Sequence, residues 1–140
     1  MTNLAKTMPE PEKDNLTDKI RRGELTTKEC PSREVLNHVT SLWGVLCLIA
    51  LRDGTLRFSE LRRKATGVSE RMLALTLQRL EQDGFVRRTA FPVIPPHVVY
   101  DLTPLGEGVA AHVATLADWI EENLHQVMDA KQQHDERQQD

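Results

Sequence analysis

The chain has 140 residues, with 18 Lys and Arg against 21 Asp and Glu and a formal charge of −3, a length that suits one domain with a real core and tails to spare. No apolar run approaches the roughly 20 residues of a membrane span, and the first fifteen residues lack the apolar segment of a secretory signal. Two cysteines and five scattered histidines make neither a disulfide framework nor a paired zinc-ligand spacing, so the expectation is a cytoplasmic protein with no membrane contact, no structural metal and no cofactor.

Residues 1–15 are polar, carry Pro9 and Pro11 and have almost nothing apolar to bury, which predicts a disordered arm. Leu16, Ile20 and Leu25 make one weak helical stripe that Gly23 interrupts. After Cys30-Pro31-Ser32, the residues Val35, Leu36, Val39 and Leu42 recur at helical spacing, with Ser32 as a cap and Glu34 in the first turn. The run from Trp43 to Leu51 is apolar nearly all round, as in a central helix covered on several sides, and Asp53-Gly54 ends it.

Thr55 to Phe58 could pair as a short strand. From Phe58 to Gly84 the pattern is two short amphipathic helices hinged at Gly67. Leu61, Ala65 and Val68 keep the first rhythm. In the second, Ser69 caps, Glu70 complements the dipole, and Leu73, Leu77 and Leu80 form the core stripe. At about 100° per residue, Arg71, Leu75, Gln78 and Gln82 fall on the opposite side, flanked by Ala74 and Arg79. Phe85 to Phe91 and His97 to Leu102 are β-rich runs joined by a stiff, proline-rich connection. A hairpin directly after a helix-turn-helix is a wing.

Thr103-Pro104 then starts a long helix. Val109, Val113, Leu116, Ile120, Leu124 and Val127, with Trp119 alongside, give it more apolar face than a small domain needs. Beyond Met128 the chain is polar and is expected to fray into solvent. The organisation expected is therefore an arm over residues 1–29, a winged helix-turn-helix over 30–102, a dimerisation helix over 103–128 and a polar tail over 129–140. The fold class is mainly α with a small antiparallel β wing, in a dimer joined by the last long helix and the segment around residues 16–40. The interface expected on the helix is Val109, Val113, Leu116, Trp119, Ile120 and Leu124.

Charge is unevenly spread. Residues 52–88 hold nine basic groups (Arg52, Arg57, Arg62, Arg63, Lys64, Arg71, Arg79, Arg87, Arg88) against five acidic ones (Asp53, Glu60, Glu70, Glu81, Asp83), whereas residues 89–140 hold two basic and nine acidic. One face then attracts phosphates and another repels them, although an ordinary solvated surface could carry the same pattern. A helix about 10 Å across fits the major groove, where each base pair presents its own donors, acceptors and methyl group. Arg71 suits guanine O6 and N7, Gln78 suits adenine, and Leu75 suits a thymine methyl, with Ala74 beside them. Leu75 could equally be a harmless exposed leucine. The run Arg62, Arg63 and Lys64, with Arg79, would grip the sugar-phosphate backbone, and Arg87, Arg88 and His97 lie on the wing. Because strand neighbours alternate faces, at most one of Arg87 and Arg88 meets phosphate, and the other can pair with an acid.

Several motifs in this order resemble the HxlR-type transcriptional regulators, a winged-helix branch akin to the MarR group: CPSREVL, LWGVLCLIALRDGTLRFSELRRK, GVSERML, LEQDGFVRR, VIPPHVVYDLTPLG and LADWIEEN. The resemblance covers Cys30 to about Asn123. It implies a cytoplasmic homodimer that binds an inverted-repeat operator in double-stranded DNA, with any small-molecule effector unknown. The chain departs from the family pattern at Leu42, where a basic residue is usual before the Trp, at Ala74-Leu75-Thr76, where relatives are more polar, and at His97, where Arg is common. Cys30 matches the position at which oxidant-sensing members carry a cysteine, and a thiol near a helix N-terminus with Lys28 close by gains thiolate character, against which Glu29 works. Cys47 reads as a small core residue. The rival reading is a winged-helix module for protein contact, without DNA. With no Gly-rich phosphate loop, nucleophile motif or carboxylate cluster, no enzyme is expected.

Overall fold

A computed structural model of the chain describes residues 15–24 and 31–139, and the chain divides after Leu36 into two units. The first contains α1, Leu16–Arg21, whose N-cap Asn15 accepts from the Asp18 amide at 2.9 Å. The stripe expected of Leu16 and Ile20 buries nothing, and Leu25 lies outside the described residues. Helix α2, Pro31–Thr40, begins in this unit, so Ser32 sits inside the helix rather than capping it.

The second unit begins within α2 and holds the core. Ser41 was not anticipated as a cap. Its side chain accepts from the Gly44 amide at 3.2 Å and donates to the His38 carbonyl at 2.9 Å, closing α2 and opening α3, Leu42–Ala50. A short 3-10 turn, Leu51–Asp53, and Gly54 end α3 where Asp53-Gly54 predicted. After β1, Leu56–Arg57, come α4, Phe58–Lys64, and α5, Glu70–Gln82. Between α4 and α5 Gly67 has φ +95°, a left-handed conformation that suits glycine. Ser69 caps α5 by accepting from the Met72 amide at 3.1 Å.

Leu61, Leu73, Leu77 and Leu80 are fully buried with Cys47 and Leu48. Each leucine so buried contributes about 1.5–3 kcal/mol, so the stripe locks α5 against the unit and leaves its other side outward. Strands β2, Val86–Phe91, and β3, His97–Leu102, form the wing, and β1 adds to its far side in the antiparallel order β1-β3-β2. The register pairs Val86 with Leu102, Arg88 with Tyr100 and Phe91 with His97.

Thr103 caps α6, Pro104–Glu122, and donates its hydroxyl to the Gly84 carbonyl at 2.6 Å. A Cβ on Gly106 would stand 1.9 Å from the Phe85 carbonyl oxygen, so the helix start and the wing start touch through glycine. The single long helix read from the sequence is broken at Asn123, and α7 runs over Leu124–Gln138. The polar tail is therefore helical for most of its length, with its side chains exposed. No single helix among the described residues is long and apolar enough to cross a membrane.

Candidate nucleic-acid interface

The candidate residues lie on α5, on the end of α4, which Arg62 links to the start of α5, and on the wing, which shares a groove with α5. On α5 the side chains of Arg71, Ala74, Gln78, Arg79 and Gln82 are exposed opposite the buried stripe. Leu75 is half-buried, and Thr76, grouped with Ala74 and Leu75 as a departure from the family pattern, is buried with its hydroxyl donating to the Met72 carbonyl at 2.7 Å. Thr76 therefore belongs to the inner side and not to the outward face. What remains outward carries guanidinium and amide donors, the groups that bind base edges bidentately.

The basic run at α4 divides in two. Arg62 pairs through Nη1 with Glu70 at 2.9 Å, and its Nε reaches the Val68 carbonyl at 3.5 Å. It thus bridges the end of α4 to the start of α5 across the turn. Arg63 and Lys64 are exposed and carry no ion pair among the described residues. Arg62 braces the turn, and its neighbours offer free charge.

Strand alternation sorts the wing arginines as expected. Arg87 pairs bidentately with Asp101 across the strands, its Nε donating to Oδ1 at 3.1 Å and Nη2 to Oδ2. That hydrogen bond, with the carboxylate charge, holds the Arg87 guanidinium above its usual pKa, so it is permanently charged and already partnered. Arg88 points to the other face, where Ala74, Leu77, Gln78, Glu81, Arg88 and Tyr100 line an open groove of about 340 Å³ between α5 and the wing. Tyr100 and Glu81 were not singled out from sequence. The period-2 pattern that separated the two arginines puts Tyr100, opposite Arg88 in the register, on the same face. His97 does not project freely, since its ring stacks on Phe91 with centroids 4.8 Å apart.

A second contact bears on how α5 is held. The His38 Nδ1 proton is donated to Asp83 Oδ2 at 2.6 Å, with both side chains largely buried. Asp83 is the C-cap of α5, where an acid opposes the negative end of the helix dipole. The imidazole offsets that penalty and ties the last turn of α5 to α2. Neither residue had a pairing assigned from sequence, since they stand 45 positions apart.

Residues proposed for the dimer interface fall in two groups. Val113 is buried in the core and Val109 is half-buried, which removes Val113 from any external surface. Leu116 at 53%, Trp119 at 57%, Ile120 and Leu124 remain exposed along α6 and the start of α7, joined by Val127 and Met128. Cys30 lies outside the described residues. Cys47 is fully buried, and burial pushes its thiol up to about 12.

Residues 38–128 match the HxlR-like helix-turn-helix model. The chain belongs to the HxlR-like helix-turn-helix family. Among its relatives, the HTH-type transcriptional regulator YtfH of Escherichia coli (strain K12) is 64% identical over 114 residues, 81% of this chain and 90% of that one. A solved structure of the transcriptional regulator ytfH from Salmonella typhimurium is 67% identical with a TM-score of 0.74, covering 77% of this chain and 96% of its own. The redox regulator HypR in its oxidized form is 35% identical with a TM-score of 0.62, over 67% and 97% of the two chains. Diamide-treated YodB from B. subtilis is 30% identical with a TM-score of 0.57, over 69% and 96%. This HxlR-like chain is a transcriptional regulator with a winged helix-turn-helix domain.

Proposed function

We propose that the protein is a homodimer that binds an inverted-repeat operator in double-stranded DNA, each copy laying α5 in a major groove. The observation that carries this is the outward face of α5, where Arg71, Ala74, Gln78 and Arg79 stand exposed while Leu73, Leu77 and Leu80 hold the helix from behind. Arg71 and Gln78 read bases, with Ala74 and Leu75 against thymine methyls, and Arg63, Lys64, Arg79 and Arg88 meet phosphates. Arg62 and Arg87 contribute mainly by bracing, since Glu70 and Asp101 already engage them. On that face the exposed Arg71, Gln78, Arg79 and Gln82 outnumber the apolar Ala74 and half-buried Leu75, which favours DNA over the rival of an apolar protein-docking module.

The copies join through Leu116, Trp119, Ile120 and Leu124. Recognition helices about 34 Å apart then meet successive groove turns on one side of the duplex, so a two-fold protein reads a two-fold site. Cys30 is the proposed oxidant or electrophile sensor, supported by its sequence position and by the likeness to HypR and YodB. Oxidation to sulfenic acid or a disulfide would alter how the reading heads are spaced.

Footprinting on DNA upstream of the protein's own gene and its neighbours, with and without oxidant, tests the whole reading. A symmetric protected site is expected, lost in Arg71→Glu with the dimer intact, and affinity should fall steeply with salt because phosphate contacts release counterions. Salt-independent binding to a protein partner and no protected site would overturn it. If Cys30→Ser answers peroxide or quinone as the parent does, the sensing role alone is lost.

A further inference from the structure

We propose that Ile94, at the tip of the wing, is an apolar wedge that enters the minor groove beside the site read by α5 and bends the duplex there. The proposal rests on the DNA-binding reading and adds to it an element that none of the basic contacts supplies. Ile94 is 100% exposed, and Val93 and Phe91 are exposed beside it. Single exposed leucines or isoleucines are common. Here three exposed apolar side chains and three prolines share one hairpin tip, which makes a patch rather than a single residue.

The chemistry of the tip excludes a phosphate grip. Residues 92–96 are Pro-Val-Ile-Pro-Pro, with no charged side chain, and the three prolines have no backbone N–H to donate. The wing's cations stand further back, at Arg87 and Arg88, and His97 is engaged with Phe91. Proline-fixed backbone loses little freedom on burial, and the Phe91–His97 stack buttresses the loop at its base. A stiff, convex, donor-poor tip suits stacked base edges and sugars.

Its reach matches the duplex. Six-residue strands at about 3.4 Å per residue carry the tip about 17 Å from Val86. With α5 in the major groove, the next minor groove on the same side lies half a helical turn away, also about 17 Å. The groove lined by Gln78, Arg88 and Tyr100 is continuous with both elements. Isoleucine is among the side chains that part a base step from the minor groove, kinking DNA by about 20–90°. Pyrimidine–purine steps yield most easily, so the wedge would create a preference for TA or CA steps at positions that no polar side chain contacts.

The test uses the full-length protein on a duplex it selects from a random pool, with bending read by energy transfer between end-labelled dyes and unstacking by 2-aminopurine at the flanking step. The parent should bend the site and brighten 2-aminopurine. Ile94→Ser, at a fully exposed position that folding does not need, should bind at most about tenfold more weakly while losing the bend, the brightening and the TA or CA preference. Ile94→Leu should retain all three. An unchanged bend in Ile94→Ser overturns the wedge and leaves DNA binding standing, as does a bend unchanged while dimerisation is lost, which would assign the tip to a protein contact. No DNA binding by the parent overturns both readings.

Discussion

At Cys47 a single buried atom decides a chemical property. A thiol in water titrates near about 8.5, and full burial raises this one to about 12, so at neutral pH it is neither a nucleophile nor a metal ligand. Iodoacetamide should leave Cys47 unlabelled in the native protein and label it on unfolding, as peptide mass spectrometry would reveal; rapid native labelling would contradict its burial. Between about pH 9 and 12 the unfolded thiol has lost its proton while the folded one keeps it, so stability falls as pH rises, by at most about 1.4 kcal/mol per unit.

Two glycines on one helix make a sharper contrast. Gly106→Ala would drive a methyl into the Phe85 carbonyl, and urea denaturation should show a loss of about 3 kcal/mol or more. Gly108→Ala meets open space on the same helix and should gain about 0.5–1 kcal/mol from helix propensity. Equal effects at the two positions would mean that α6 does not start against the wing as described.

Elements turn equal charges into unequal roles. Arg62 and Arg63 are adjacent in sequence, yet one reaches across the turn to Glu70 and the other has no ion pair among the described residues. Arg63→Ala should weaken binding to all DNA sequences and reduce the slope of log affinity against log salt by about 1. Arg62→Ala should leave that slope nearly unchanged. Its effect on stability should also be small, because an exposed ion pair contributes about 0–1 kcal/mol. A larger slope change for Arg62 would mean that it leaves Glu70 for phosphate in the complex.

For the whole molecule, what counts is the apolar surface that the chain leaves uncovered. Leu116, Trp119 and Ile120 lie exposed along α6, and an apolar patch of that kind marks an interaction site. Sedimentation at micromolar concentration should give a dimer for the parent and a monomer for the double variant Leu116→Glu with Trp119→Glu. The variant should keep its helical circular dichroism and, on the proposed two-fold reading, bind a symmetric DNA site far more weakly. A parent that sediments as a monomer would remove the two-fold site from the proposal.

Much of the fold follows from local pattern. The spacing of Leu73, Leu77 and Leu80, the cap at Ser69, the Thr103-Pro104 start and the alternation of Arg87 and Arg88 are all set within a few residues, because helix and strand periods act at that range. Side-chain pairing across the fold is not local. The His38–Asp83 contact, the Arg62–Glu70 brace and the Tyr100 wall of the groove exist only once distant segments meet, and a charge count could not tell a braced arginine from a free one. Val113 shared the helical stripe of Leu116 and Ile120, yet packing turned it inward while they stayed out. By itself the sequence determined the helix-turn-helix, the wing strands and which faces are apolar, but not the break at Asn123 or the helical tail, whereas tertiary structure alone decided which polar groups are already satisfied, because a hydrogen bond or ion pair depends on distances that only the assembled chain sets.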